Sequence, residues 1–135
     1  MPEPKALVTD THPLIFHAAG GRRLGAKAAR HFAACERGAA LLYVPAVVVW
    51  ECALLARRRR VEFGRSVESF FTDLFGNPAF QPLDLTLGQL YLADEARPNE
   101  DPFDALICAA ARALDLPLIT ADADITDSGL VRVVW

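Results

Sequence analysis

Short apolar runs of the kind that form β-strands alternate along this chain with segments of helical periodicity. The strand-like runs cover residues 6–9, 41–44, 80–83, 117–120 and 131–134. Helices are predicted between them, from residue 11 to the glycine pair at 20 and 21, and at 25–37, 46–59, 65–75, 86–96 and 102–115. Strand–helix–strand crossovers place successive strands in parallel. The alternation therefore predicts an α/β fold, a three-layer α/β/α domain with a mostly parallel sheet of four or five strands.

Length and net charge limit the number of domains and the kinds of partner that this chain can have. The chain has 135 residues, 53% of them hydrophobic, so residues 1–135 are predicted to form a single domain with a substantial core. The net charge of -3 provides no global attraction for nucleic acid or for an anionic membrane. Any such contact would need a local basic patch, and the run of four arginines at 57–60 is the candidate.

A cytoplasmic location without membrane contact is expected from the first residues and the cysteines. MPEPKALVTD contains one lysine and an apolar run of three residues, which fits neither a signal peptide nor an anchor. Cys35, Cys52 and Cys108 are odd in number and far apart, and each stands among alanines and leucines. We expect reduced, buried thiols rather than a disulfide or a metal site.

Three aspartates stand near the ends of predicted strands. Asp10 directly follows the first strand, and Asp122 stands two residues beyond the strand at 117–120. Asp104 lies in the first turn of the helix that leads into that strand. Sites in parallel sheets form at the carboxyl ends of the strands, so these side chains are expected at one edge of the sheet.

Glu51 is harder to explain by local structure. Its neighbours at helical spacing are apolar: Val47, Val48, Leu54 and Leu55. A lone carboxylate on such a stripe costs several kcal/mol unless it is neutralised or paired. A buried pair with an arginine is the main structural alternative.

The aspartates have ordinary structural explanations as well. Asp10 and Asp101 can be helix N-caps, and Asp101 with Asp104 has the spacing of a capping box. The later aspartates are typical of a turn before the last strand: Asp122, Asp124 and Asp127.

A convergence of four carboxylates would change this interpretation. Within about 5 Å, each pair repels by roughly 3 kcal/mol at an effective dielectric constant near 20. A divalent cation compensates for this repulsion. Because no histidine or cysteine pattern accompanies the acids, their oxygen ligands favour Mg²⁺ or Mn²⁺. A water bound to such an ion can serve as the nucleophile for phosphodiester hydrolysis.

Several segments also carry a family resemblance. They are TDTHPLIF with Asp10, VPAVVVWECALLARR with Glu51, DPFDALICAAARALDLPLITAD, and the closing VRVVW. In this order they resemble the PIN-domain ribonucleases, specifically the VapC-like toxins of type II toxin–antitoxin modules. The likeness spans nearly the whole chain, although residues 60–95 carry little of it.

The resemblance implies a metal-dependent endoribonuclease that selects single-stranded RNA, uses Mg²⁺ or Mn²⁺, forms a homodimer and is held inactive by a VapB-like antitoxin. The catalytic and metal-binding acids carried over by position are Asp10, Glu51, Asp104 and Asp122. Thr11 and Thr120 would line the site, and Asp101 and Asp124 are second choices for the metal. Two departures, Pro13 after DTH and Ile125 at the end of TADADI, affect helix geometry and substrate fit rather than the acids.

The resemblance indicates the residues that contact substrate less directly than it indicates the acids. Arg57 and Arg58 lie beyond Glu51 on the same helix and could reach RNA phosphates, or could simply be a solvated helix end. His12 and His17 are expected to have structural or surface roles. The remaining aromatic candidates are expected in the core or a dimer contact: Trp50, Phe70, Phe71 and Phe75.

Two other classes are considered. A receiver-like phosphoacceptor domain would need an acidic pair after the first strand and a late lysine, whereas this chain has a single Asp10 and no lysine beyond Lys27. A non-catalytic binding protein that retains the PIN fold is the other alternative.

Overall fold

A five-stranded parallel sheet forms the centre of the computed structural model, which describes residues 4–135. The strands are β1 (Ala6–Thr9), β2 (Leu41–Pro45), β3 (Phe80–Leu83), β4 (Leu118–Ile119) and β5 (Val133–Val134). They lie in the order β3-β2-β1-β4-β5, and every neighbouring pair is parallel. The predicted parallel sheet is confirmed, with five strands.

Seven helices connect these strands within residues 4–135. They are α1 (Thr11–Ala18), α2 (Ala26–Glu36), α3 (Ala46–Arg57), α4 (Val67–Phe75), α5 (Leu87–Glu95), α6 (Pro102–Leu114) and α7 (Ala123–Ser128). Six of them match the predicted helices to within about two residues at each end. Together with the sheet they form the predicted three-layer α/β/α fold. The short helix α7 was not predicted.

The strand order places a topological switch point beside the central strand β1. Strands β2 and β3 lie on one side of β1 in the sheet, and strands β4 and β5, which come later in the chain, lie on the other side. Val8 pairs with Tyr43 of β2 and with Leu118 of β4. A crevice opens at such a point beyond the carboxyl ends of the strands, and ligands bind there in open α/β sheets.

Apolar strands bury both faces of the sheet. Leu7 and Val8 are adjacent in β1, so their side chains point to opposite faces, yet both are almost fully buried. The same holds for Leu118 and Ile119 of β4. A continuous apolar run is expected in a parallel strand that helices cover on both sides. This packing fixes the position of the strand ends that carry the site.

Several smaller predictions concern single residues. The three cysteines are buried free thiols, as predicted. Phe71 is buried, and Phe70 and Phe75 pack against the core, so their assignment to the core is confirmed. Trp50 is 57% exposed, so a place in the core was wrong for this side chain. Among residues 4–135, no helix is long and apolar enough to cross a membrane.

Candidate active site at the switch point

Asp10 lies at the carboxyl end of β1 and is the N-cap of α1. Its side chain is only 7% exposed, and both of its carboxylate oxygens accept a hydrogen bond. The backbone N–H of Thr11 donates to Oδ1 at 2.7 Å, and the hydroxyl of Thr120 donates to Oδ2 at 2.7 Å. The predicted capping role of Asp10 is therefore confirmed. Its other oxygen, Oδ2, faces the end of β4.

Thr120 connects the ends of the two strands at the switch point. It directly follows β4 and is fully buried. Its hydroxyl donates to Asp10 and accepts from the backbone N–H of Asp122 at 3.0 Å. One side chain thus fixes the position of both aspartates.

Glu51 reaches the same edge from helix α3. The hydroxyl of Thr11 donates a hydrogen bond to its Oε1. Glu51 is half-buried, and no arginine forms an ion pair with it among residues 4–135. The alternative of a buried arginine pair was therefore wrong, and the carboxylate is held by a residue next to Asp10 instead.

Asp104 lies in the first turn of α6, where Asp101 is the N-cap. Asp101 accepts from the backbone N–H groups of Phe103 and Asp104, so its capping role is confirmed. The reciprocal half of a capping box does not form, because the N–H of Asp101 donates to Asn99 Oδ1 at 2.8 Å. The Asp104 carboxylate instead accepts from Asn99 Nδ2 at 2.9 Å.

Asp122 and Asp124 belong to the unpredicted helix α7 rather than to a turn. Asp122 is its N-cap, with Oδ1 accepting from the N–H of Ile125 at 2.9 Å. Asp124 lies in the first turn and accepts from Asn99 Nδ2 at 3.3 Å. Asn99 therefore connects the start of α6 to the start of α7.

Burial and mutual repulsion raise the pKa values of three of these acids. The pKa of Asp104 is raised to about 6, mainly by burial and also by the charges of Asp101, Asp10 and Asp122, against the hydrogen bond from Asn99, which lowers it. Burial is also the main cause of the raised pKa of Asp10, to which Asp122 adds. The pKa of Glu51 is raised by burial and, less strongly, by Asp10. The acids therefore share one region of negative potential.

Their chemistry suits a hard cation better than a soft one. The donors are carboxylate oxygens, and burial raises the pKa of the nearby Cys108 to about 12, which keeps that thiol protonated and a poor ligand. Among residues 4–135, however, no three acid, histidine or cysteine side chains are grouped closely enough to hold a metal ion. The donor type fits Mg²⁺ or Mn²⁺, whereas the tight group of acids anticipated from the sequence is not formed in this arrangement.

A cleft of about 220 Å³ opens beside the acids. Asp10, Thr120 and Asp122 line one part of it, and Phe16 and Trp135 are among the other lining residues. His12 also lines the cleft and is exposed, which agrees with the surface role expected for it. His17, in contrast, stacks on Phe32 with ring centroids 4.5 Å apart and bonds Glu36 at 2.9 Å, as expected of a structural residue.

The family resemblance named Thr11 and Thr120, but sequence reasoning missed other residues that hold and surround the acids. Asn99 lies between the helices predicted at 86–96 and 102–115, and no local pattern marks it as a partner of Asp104. No sequence pattern marked Phe16, which lies in α1, or Trp135, which directly follows β5, as part of the site. Arg57 and Arg58 are exposed at the end of α3, as both of their proposed roles require.

Comparison with known families and structures gives an independent view of the chain. A model of the PIN domain family matches residues 7–129, which include Asp10, Glu51, Asp104 and Asp122. No curated protein matches the chain significantly.

Solved structures of similar fold come from several bacteria. A chain in the structure of VapBC2 from Rickettsia felis, bound to a DNA fragment from its promoter, aligns with a TM-score of 0.69 at 11% identity, over 96% of this chain and 97% of that one. A toxin–antitoxin complex from Klebsiella pneumoniae gives 0.62 at 20% identity, over 96% of both chains. FitAcB from Neisseria gonorrhoeae gives 0.62 at 14% identity, also over 96% of both. At these identities the likeness shows the shared fold alone.

Proposed function

Because the chain belongs to the PIN domain family, we propose that it is a metal-dependent endoribonuclease and the toxin of a VapBC-like toxin–antitoxin module. One observation carries the proposal: acids from three separate parts of the chain repel one another at the switch point of the sheet. Such repulsion does not stabilise the fold. Clustered acids with raised pKa values are typical of an active site.

Asp10, Asp104 and Asp122, with Glu51 beside them, are the residues that would hold the ion. When bound, Mg²⁺ or Mn²⁺ would neutralise the acids, lower the pKa of water and stabilise charge on a phosphodiester. Asp101 and Asp124 are the second choices, because their side chains contact a helix N-terminus and Asn99.

The surrounding residues orient the acids. Thr120 holds Asp10 and the start of α7, and Thr11 holds Glu51. Asn99 fixes the direction of the Asp104 carboxylate. Because these side chains are already hydrogen-bonded, little reorganisation is required when charge changes at the site.

RNA is the proposed substrate, in single-stranded form. The net charge of the chain is negative, so contacts to phosphates require local cations. Arg57 and Arg58 are exposed on the helix that carries Glu51, and no acid forms an ion pair with either within residues 4–135. We assign them to phosphate contacts outside the acidic centre.

The direct test is RNA cleavage by the purified chain. We expect cutting of a single-stranded RNA with Mg²⁺ or Mn²⁺ and none in EDTA, and we expect Asp10→Asn and Asp104→Asn to lower the rate at least 100-fold, on the order of a lost transition-state contact. Asp94→Asn is the matched control, because Asp94 is exposed on α5. Equal cutting in EDTA would refute the proposal.

Toxicity and assembly need separate tests. The proposed partners are a VapB-like antitoxin and a second copy of the chain, in the cytoplasm. Expression of the chain alone should arrest growth, and co-expression of the neighbouring small gene should restore it. Light scattering should give a dimer at micromolar concentration. Harmless expression of cleavage-active protein would contradict the toxin role, and a monomer would contradict the dimer.

A non-catalytic binding protein of the same fold is the alternative. The observation in its favour is that the described acids are not grouped closely enough to hold an ion. This alternative predicts RNA binding without cutting at any metal concentration, so the cleavage assay separates the two.

A further inference from the structure

The cleft beside the acids has an aromatic side that phosphodiester hydrolysis does not require. Phe16 and Trp135 both line it, together with Asp10 and Asp122. The planes of the two rings are inclined by 66°, and their centroids are 6.5 Å apart. Two half-buried rings therefore adjoin an acidic centre within a cleft of about 220 Å³.

A cation lies over the ring of Phe16. The guanidinium carbon of Arg23 is 4.3 Å from the centroid of the Phe16 ring. Arg23 is exposed, and no acid in residues 4–135 forms an ion pair with it. The ring therefore holds the guanidinium in place without neutralising its charge. The charge remains available for a contact to phosphate.

The fold fixes the position of Trp135. Its backbone carbonyl accepts hydrogen bonds from the N–H groups of Lys27 at 2.9 Å and Ala28 at 3.2 Å, in the first turn of α2. Gly25 makes this approach possible, because a Cβ at that position would lie 2.6 Å from the carbonyl carbon of Trp135. The aromatic wall is therefore in place before any ligand binds, which lowers the entropic cost of binding.

We propose that this cleft binds one unpaired nucleobase of an RNA strand, stacked on Trp135 and meeting the Phe16 ring at an angle, next to the phosphodiester at the acids. Its volume is below the roughly 300–1,000 Å³ of drug-sized pockets, which suits a single planar ring. Unpaired bases are recognised by stacking on aromatic side chains and on arginine. The proposal rests on the proposed ribonuclease function and adds a reason for single-strand selectivity, since both faces of a base in a duplex are already covered.

Tryptophan fluorescence tests the stacking directly. The Trp50→Phe variant leaves Trp135 as the only tryptophan, and Trp50 is exposed outside the cleft. In EDTA, where cutting is prevented, a single-stranded RNA hexamer should quench this fluorescence. A hexamer of the same ribose–phosphate backbone without bases should not.

Variants of the aromatic wall measure how much binding depends on the base. Trp135→Ala should weaken binding of the RNA hexamer by about 5- to 150-fold and leave binding of the abasic hexamer unchanged. Trp135→Phe should retain most of the affinity because it keeps a ring. Phe16→Leu provides a second test if Trp135→Ala fails to fold by circular dichroism, and Trp50→Ala is the matched control outside the cleft.

The role of Arg23 is tested by the dependence of binding on salt. Arg23→Gln should lower the slope of log Kd against log salt concentration by about 0.7, as expected for one lost phosphate contact on a single strand. Arg37→Gln should leave the slope unchanged, because Arg37 caps the other end of α2.

The outcomes separate the subsite from the catalytic function. Equal affinity for the normal and the abasic hexamer, unchanged affinity in Trp135→Ala, or no binding at millimolar concentration would overturn the nucleobase subsite even if the chain cuts RNA. Base-dependent binding through Trp135 in a chain that never cuts RNA would support the subsite and refute the ribonuclease function.

Discussion

At the scale of single residues, two acids of the site, Asp10 and Glu51, depend on partners that are distant in the sequence. Asp10 and Thr120 are 110 positions apart, and Thr11 and Glu51 are 40 apart. The acids themselves can be recognised in the sequence, because a position at a strand end, in a first helical turn or on an apolar stripe is a local feature. Their hydrogen-bond donors do not stand out, because no local pattern pairs a threonine with an acid on another element.

Removal of the Thr120 hydroxyl should destabilise the fold. Thr120→Val leaves Asp10 Oδ2 and the N–H of Asp122 without their partner in a buried place, so the free energy of unfolding should fall by about 1–3 kcal/mol. Urea denaturation measures this change. Thr126→Val is the control, because that hydroxyl is exposed, and it should stay within about 0.5 kcal/mol. Equal stability of the two variants would show that the Thr120 contact is unimportant.

The side chain of Asn99 should tune Asp104. Its hydrogen bond lowers the pKa of Asp104, so Asn99→Ala should raise that pKa above about 6. A carboxyl-carbon NMR titration in EDTA measures the value. Asn77→Ala serves as the control, since Asn77 contacts Cys35 and Ala79 instead. An unchanged titration of Asp104 in Asn99→Ala would mean that the contact has no electrostatic effect.

At the scale of helices and strands, local sequence patterns predict most of the fold. The apolar runs and their capping residues predict the five strands and helices α1 to α6, because period and caps are local properties. Helix α7 was missed because its six residues, ADITDS, are mostly polar and too short for a helical period. Its existence depends on the cap at Asp122 and on burial of Ile125.

Two substitutions separate the capping role of Asp122 from its role as an acid. Asparagine is also a good N-cap, so Asp122→Asn should keep the stability of the fold and lose metal-dependent cutting of RNA. Asp122→Ala should lose the cutting and also about 1 kcal/mol of stability. Thermal denaturation and the cleavage assay measure the two effects. Full activity in Asp122→Asn would assign Asp122 to capping alone.

At the scale of the whole molecule, the strand order brings the acids to one crevice, although they come from different elements. Alternation of strands and helices predicts parallel strands, and therefore predicts that Asp10 and Asp122 share an edge. It does not predict side-chain positions, and the four acids do not form the compact group anticipated from the sequence. Repulsion between carboxylates opposes such a group until a cation compensates.

The burial and the crowding of the acids should make stability depend on pH. Asp104 has a pKa of about 6 in the folded chain against an ordinary 3.8, so its contribution to stability is present below about pH 3.8 and is lost as pH rises through 6. The unscreened effect is about 3 kcal/mol, and partial exposure of the carboxylate reduces it to about 1 kcal/mol. In EDTA, Asp104→Asn should therefore lose about 1 kcal/mol less stability than the unmodified chain between pH 4 and pH 8.

Urea denaturation at the two pH values measures this difference. Asp94→Asn should follow the unmodified chain, because Asp94 is exposed on α5. The same pH dependence in Asp104→Asn and the unmodified chain would contradict the raised pKa.

The central claim is that the acids at the switch point form one site for a divalent cation. Its most direct test is the anomalous density of Mn²⁺ in crystals of the chain, with Asp104→Asn crystals as the control. We expect Mn²⁺ at about 2 Å from carboxylate oxygens of Asp10, Asp104 or Asp122, and weaker or no density in the variant. Saturating Mn²⁺ with no density at these acids, or with density only elsewhere on the molecule, would contradict the claim.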